Sequence, residues 1–164
     1  MTDATHGRLT GPPPAALERL LDEGSPFTPP HRVLNGLDAA QACQRVPGAP
    51  HTVAEIVAHL RFWQLYTLAL ARGEQPATPE HAALGWPAAT EDGWDTLRRD
   101  FLAGLDAMKT VARTGDLSLP VRTTDALGYE LVLHALHNAV HLGQVVQLRQ
   151  MLGAWPPPGG GDTW

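Results

Sequence analysis

Apolar residues recur at helical spacing over three long stretches of the chain. In the first, Ile56, His59, Trp63, Tyr66 and Leu70 follow one another in steps of three and four, so one histidine points where core residues point. Thr52-Val53-Ala54-Glu55 opens this stretch as a capping box, in which the hydroxyl and the carboxylate satisfy orphan amides, and Gly73 with Pro76 closes it. The second stretch starts at Thr90, where Glu91 and Asp92 suit the positive end of a helix dipole. It carries Trp94, Leu97, Phe101, Leu105 and Met108 and ends at Gly115. The third is the longest, from about Thr124 to Leu152. Its stripe is Leu127, Leu131, His134, His137 or Asn138, His141, Val145, Leu148 and Leu152, with Arg149 in the last turn and Gly153 as the cap.

Upstream, residues 14–23 and 31–45 both read as helical, and Gly24 to Pro30 breaks them into one bundle helix in two pieces, or a helix and a short connector. No segment sustains the period-two alternation of a strand. The expectation is an all-α fold, a single four-helix bundle over residues 1–153 whose inward faces can host a site. A Pro/Gly-rich tail, residues 154–164, follows. Its prolines cannot continue the helix, and its two tryptophans predict that it folds back onto the bundle or a dimer mate, with Trp155 the nearer anchor and Trp164 the farther.

Composition narrows the function classes. With 43% hydrophobic residues and a mean hydropathy of -0.16, overall disorder is excluded, and no run has the roughly 18 apolar residues of a membrane span. The polar N-terminus and the lone Cys43 set the expectation of a cytoplasmic protein. A net charge of -5, with Lys109 the only lysine, leaves no electrostatic footprint for nucleic acid.

Histidines carry the candidate chemistry. His137 and His141 stand at i, i+4, about 5–6 Å apart at Cβ, so both imidazoles can reach one cation. Such a pair alone is equally well a pair of hydrogen-bonded core histidines. His59, inward-facing on another helix, shifts the balance, because three buried imidazoles are costly unless paired or metallated. His134 also pairs geometrically with His137, but it lies two turns from His141, roughly 10 Å along the axis, so it is assigned to the core or to the support of the site. His137-Asn138-Ala139-Val140-His141 has Asn138 where zinc proteases place their general-base glutamate, which argues against peptide hydrolysis. Glu55 is accounted for by capping, and Glu130 lies too far along the helix to join an ion at His137. Trp63, Trp94 and Phe101 read as core, Cys43 as inert packing, and His6, His31, His51 and His81 as solvated.

The segment Leu136-His137-Asn138-Ala139-Val140-His141-Leu142-Gly143-Gln144, followed by Leu148-Arg149 and Leu152-Gly153, resembles the signature of the DinB/YfiT-like metalloenzymes. Val57-Ala58-His59-Leu60 with Trp63 resembles the helix that carries the family's first histidine. The resemblance implies an up-down-down-up four-helix bundle, frequent homodimers, and a divalent metal such as nickel or zinc held by His59, His137 and His141. It also implies transfer of a low-molecular-weight thiol to an electrophile. Asn138, beside the ligand pair, and Gln144, one turn beyond His141, read equally as groups that orient a ligand and as ordinary bundle polars. The alternatives are a metal-binding or stress-related protein without catalysis, and a metal-dependent hydrolase.

Overall fold

The computed structural model describes residues 9–23 and 28–160, and among these every regular element is helical. His6, Trp164 and most of the expected break after Glu23 lie outside the described residues. Helix α1 (Pro14–Glu18) runs into a π turn (Arg19–Glu23) and is followed by the short helices α2 (Pro30–Val33) and α3 (Ala39–Cys43). Three long helices come next: α4 (Val53–Ala71), α5 (Trp94–Thr114) and α6 (Leu127–Met151), with a 3-10 turn, Ala82–Gly85, between the first two. Among the described residues, two isolated bridges, Leu9 with Asp125 and Pro120 with Ala126, are the extended pairings. Among the described residues no helix is long and apolar enough to cross a membrane.

Helix α4 begins where its capping box places it. Thr52 Oγ1 accepts from the Glu55 amide at 3.2 Å, and Glu55 accepts from the Thr52 amide at 2.8 Å. It ends in a Schellman motif, with Gly73 at a φ of +78° and the Glu74 amide bonded to the Ala69 carbonyl. Two expected boundaries move. Residues 31–45 do not form one helix, because Gly36 turns the chain at a φ of +70° and Asp38 starts α3 with a capping box of its own. Thr90 does not cap α5: its carbonyl and hydroxyl hold the amide of Gly93 in a turn, and the helix starts only at Trp94. At α6 no side chain caps the start; the carbonyls of Leu119 and Leu117 accept from the amides of Leu127 and Gly128 instead.

Helix α4 packs most extensively against α5 and α6, while α1 lies against α5 and α6. The core has two apolar clusters. One gathers Leu34, Val57, Leu60, Trp94, Phe101, Leu105 and Val145, the other Leu17, Leu21, Met108, Ala112 and Leu131. Along α4 and α6 the residues between them are buried but polar: Gln64 and Thr67, then His134 and Asn138. Gln64 is built into the α4–α5 contact. It accepts from Arg61 at 2.7 Å and donates to the Phe101 carbonyl at 3.1 Å, and a Cβ at Gly104 would fall 1.9 Å from its Oε1.

The tail returns to the bundle as far as it is described. Gly153, at a φ of +70°, closes α6, and the Ala154 carbonyl accepts from Arg149 Nε at 3.1 Å and Nη2 at 2.8 Å. The Trp155 ring lies 5.4 Å from the Arg149 guanidinium carbon, Pro157 is buried, and the Gly160 carbonyl accepts from Arg32. A cation–π contact and one buried ring are worth about 1–2 kcal/mol together. Deleting residues 155–164 is therefore expected to lower the melting temperature by about 2–8 °C. Thermal denaturation followed by circular dichroism checks this, and an unchanged midpoint would mean that the tail contributes nothing.

Candidate metal centre

The α4–α6 contact places three imidazoles around one point. His59 stands two turns into α4 and is buried, and His137 and His141 are half-buried on successive turns of α6. His59 Nε2 lies 3.0 Å from His137 Nε2, and one ligand nitrogen from each of the three falls within 4.8 Å of the others. On α6 the ambiguity between His137 and Asn138 resolves by division: Asn138 points into the core, 3% exposed, and His137 faces α4.

Two further bonds orient the rings. His59 Nδ1 is 2.6 Å from the carbonyl of Gly85, which can only accept, so the proton sits on Nδ1 and the Nε2 lone pair is bare. His141 Nδ1 lies 2.8 Å from Gln144 Oε1, which in the same way leaves Nε2 as the free donor atom. Without an ion, the short approach of His59 to His137 is then a hydrogen bond donated by His137 Nε2. Trp86 supports the cluster from one side, stacked on His59 at 3.8 Å with the planes 7° apart. On its other face it stacks on His51 at 3.7 Å.

These residues fit a divalent transition metal. Metal–imidazole bonds of about 2.0–2.1 Å put two nitrogens on one ion roughly 3–3.4 Å apart, the separation that His59 and His137 already have. Burial pushes the His137 imidazole down to about 4, with His141 and His59 adding to the effect, and burial also lowers His59 against the opposing pull of the Gly85 carbonyl. His59 and His137 are thus held toward the neutral form that a ligand needs.

His134 is not part of the cluster. It is 4% exposed, its Nε2 lies 3.2 Å from Asn138 Nδ2, and burial holds it down to about 3. Asn138 Oδ1 has no hydrogen-bond partner among the described residues. Glu130 is paired with Arg122 at 2.8 and 3.0 Å, and Glu55 with Arg45 at 2.8 Å, so both are committed elsewhere. Burial raises the Cys43 thiol, with Glu91 and Glu55 adding to it, which disfavours a nucleophile there. Trp94 and Phe101 are fully buried as expected, and His31 and His81 are exposed. Two expectations need correction. Trp63 is half-buried beside the cluster, with its ring 6.4 Å from that of His59. His51 is not simply solvated, because stacking on Trp86 leaves its side chain 34% exposed. Gly85 and Trp86 were invisible to periodicity because they lie in a connection; the one available signal was a large ring in a Gly-Trp-Pro run.

These depressed histidines fix a pH dependence. Their folded-state values lie below the ordinary 6.5, so the unfolded chain binds the extra protons. Stability is full above about 6.5 and is lost as pH falls toward 4, at about 1.4 kcal/mol per pH unit for each such group. Chelated protein is expected to melt progressively lower from pH 7 to pH 4, and His134→Leu to flatten that slope; a slope unchanged by the substitution would contradict it.

A helical bundle that gathers three imidazoles from two facing helices is a metal-site architecture. A family model of the DinB superfamily matches residues 31–145, and the chain belongs to that superfamily. Comparison with curated proteins and with solved structures gives no match.

Proposed function

We propose that the chain binds one divalent ion, zinc or nickel, through His59, His137 and His141 and transfers a low-molecular-weight thiol to an electrophile. The observation that carries the metal reading is the 3.0 Å approach of the His59 and His137 Nε2 atoms, with the His59 ring oriented by the Gly85 carbonyl from outside the cluster. When bound, such an ion supplies Lewis acidity that lowers the pKa of a thiol. In the reaction the sulfur bonds to the electrophilic carbon as the bond to the leaving group breaks. The leaving group keeps that electron pair, and the thiol proton passes to water. The chain's own part is to hold the ligand rings through Gly85 and Gln144 and to screen them with Trp63 and Trp86. Thiol transfer is favoured over hydrolysis because Asn138 is buried against His134, which leaves no base beside the ligand pair on α6.

Within this proposal α1 and its π turn make the first member of an up-down-down-up four-helix bundle, and the protein is a homodimer. The outer face of α6 supports the dimer. Its two charged residues, Glu130 and Arg149, are both buried, and Leu133, Leu136 and Val140 are 37%, 57% and 63% exposed. Gly143, mid-helix, has nothing near its missing Cβ among the described residues, so the cost of about 1 kcal/mol against alanine has no explanation among them. A second copy crossing there accounts for both features.

The test is metal-dependent consumption of thiols of different charge with a model electrophile. Consumption by zinc- or nickel-loaded protein that is lost with His59→Ala supports transfer. Ester or amide hydrolysis without thiol consumption would replace it with the hydrolase, and tight metal binding with neither activity would leave a binding protein.

A further inference from the structure

We propose that the pocket beside the histidine cluster binds the uncharged, apolar body of the electrophile; this role for its occupant rests on the thiol-transfer reading. The pocket holds about 370 Å³, within the range of small-molecule sites. His141 forms part of its wall, so a molecule seated there has one end at the cluster. Ile56, Leu148 and Met151 give it apolar surface, and Gln144, Gln147 and His51 offer hydrogen-bonding groups. None of its lining residues is Asp, Glu, Lys or Arg.

Its walls are built without an occupant. Trp86 is clamped between His51 and His59, so its faces are covered and only its edge is free to meet a ligand. The loop at residues 47–50 is tied down by Arg45, which donates to the Pro50 carbonyl at 2.8 Å and to Glu55 at 2.8 Å. The nearest carboxylate behind His51, that of Glu55, lies 3.7 Å from its Nδ1 and is already engaged by Arg45 and the Thr52 amide. Preformed walls reduce the ordering cost of binding. No lysine or arginine lines the pocket, so away from its end at the cluster an anionic group gives up its hydration without a fixed cationic partner, and the body of the site selects neutral molecules.

Two fluorescent probes with one framework test this on the zinc-loaded full chain: neutral N-phenyl-1-naphthylamine and its sulfonated analogue, 8-anilinonaphthalene-1-sulfonate. The neutral probe is expected to saturate one site per chain and to bind at least about tenfold more tightly than the sulfonate. Gln147→Lys, on the exposed rim, is expected to strengthen the sulfonate at least about fivefold. Equal binding of both probes, or loss of the neutral probe on Leu136→Lys, which alters the outer face of α6 instead, would overturn the inference. Thiol consumption is measured alongside. Transfer without the probe preference removes the pocket assignment alone, and the probe preference without transfer upholds the pocket and removes the reaction.

Discussion

His137→Ala is expected to leave purified protein with almost no bound divalent metal, and His59→Ala and His141→Ala to do the same, while His134→Ala keeps most of it. The three share one point, with ligand atoms within 4.8 Å of one another, and two remaining imidazoles hold an ion far more weakly than three. His134 instead bonds Asn138 in the core, so its loss leaves a cavity and is expected to cost about 2–4 kcal/mol of stability. Elemental analysis and thermal denaturation of the four variants separate the two effects. Metal lost with His134→Ala but kept with His141→Ala would mean that His134 and His137 are the ligand pair on α6.

Arg149→Ala is expected to be the most destabilising single change away from the histidines. The residue is 1% exposed and its guanidinium donates to the carbonyls of Val33 and Ala154, so one side chain joins α6 to α2 and to the tail. Alanine would strand two carbonyls at about 1–3 kcal/mol each and remove the platform of Trp155. A loss of about 3 kcal/mol, or 6–12 °C in melting temperature, is expected, with metal content retained. Lysine, lacking the planar fork, is not expected to restore it. A loss under about 1 kcal/mol by chemical denaturation would contradict this role.

The long helices and the gathering of the three histidines were legible in the sequence because each rests on a local rule. Thr52 and Glu55 cap at fixed spacing, Gly73 and Gly153 end helices in the left-handed region, and one-turn spacing forces His137 and His141 onto one face. What escaped depends on contacts distant in sequence. Val57, Leu60, Gln64 and Thr67 are buried on a second side of α4, which one stripe could not reveal because the helix packs against both α5 and α6. Arg149 suited the helix dipole and gave no sign that it would be buried. Gly85 and Trp86 reach His59 across a connection in which no periodicity exists to be read.

Removing the ion is expected to lower stability without unfolding the chain, since neither apolar cluster counts an imidazole among its members. An ion present at a hundred times its dissociation constant adds about 2.7 kcal/mol. Chelation should therefore lower the melting temperature by about 5–10 °C with helical circular dichroism intact at 25 °C. Loss of that signal on chelation would show that the fold depends on the metal.

Metal stoichiometry of the full chain, purified without a histidine tag and measured by elemental analysis, tests the metal centre most directly. One divalent ion per chain, retained through gel filtration and absent from His59→Ala, is the expected result. No bound ion after reconstitution with zinc and with nickel, or an equal content in the variant, would contradict a metal centre at His59, His137 and His141.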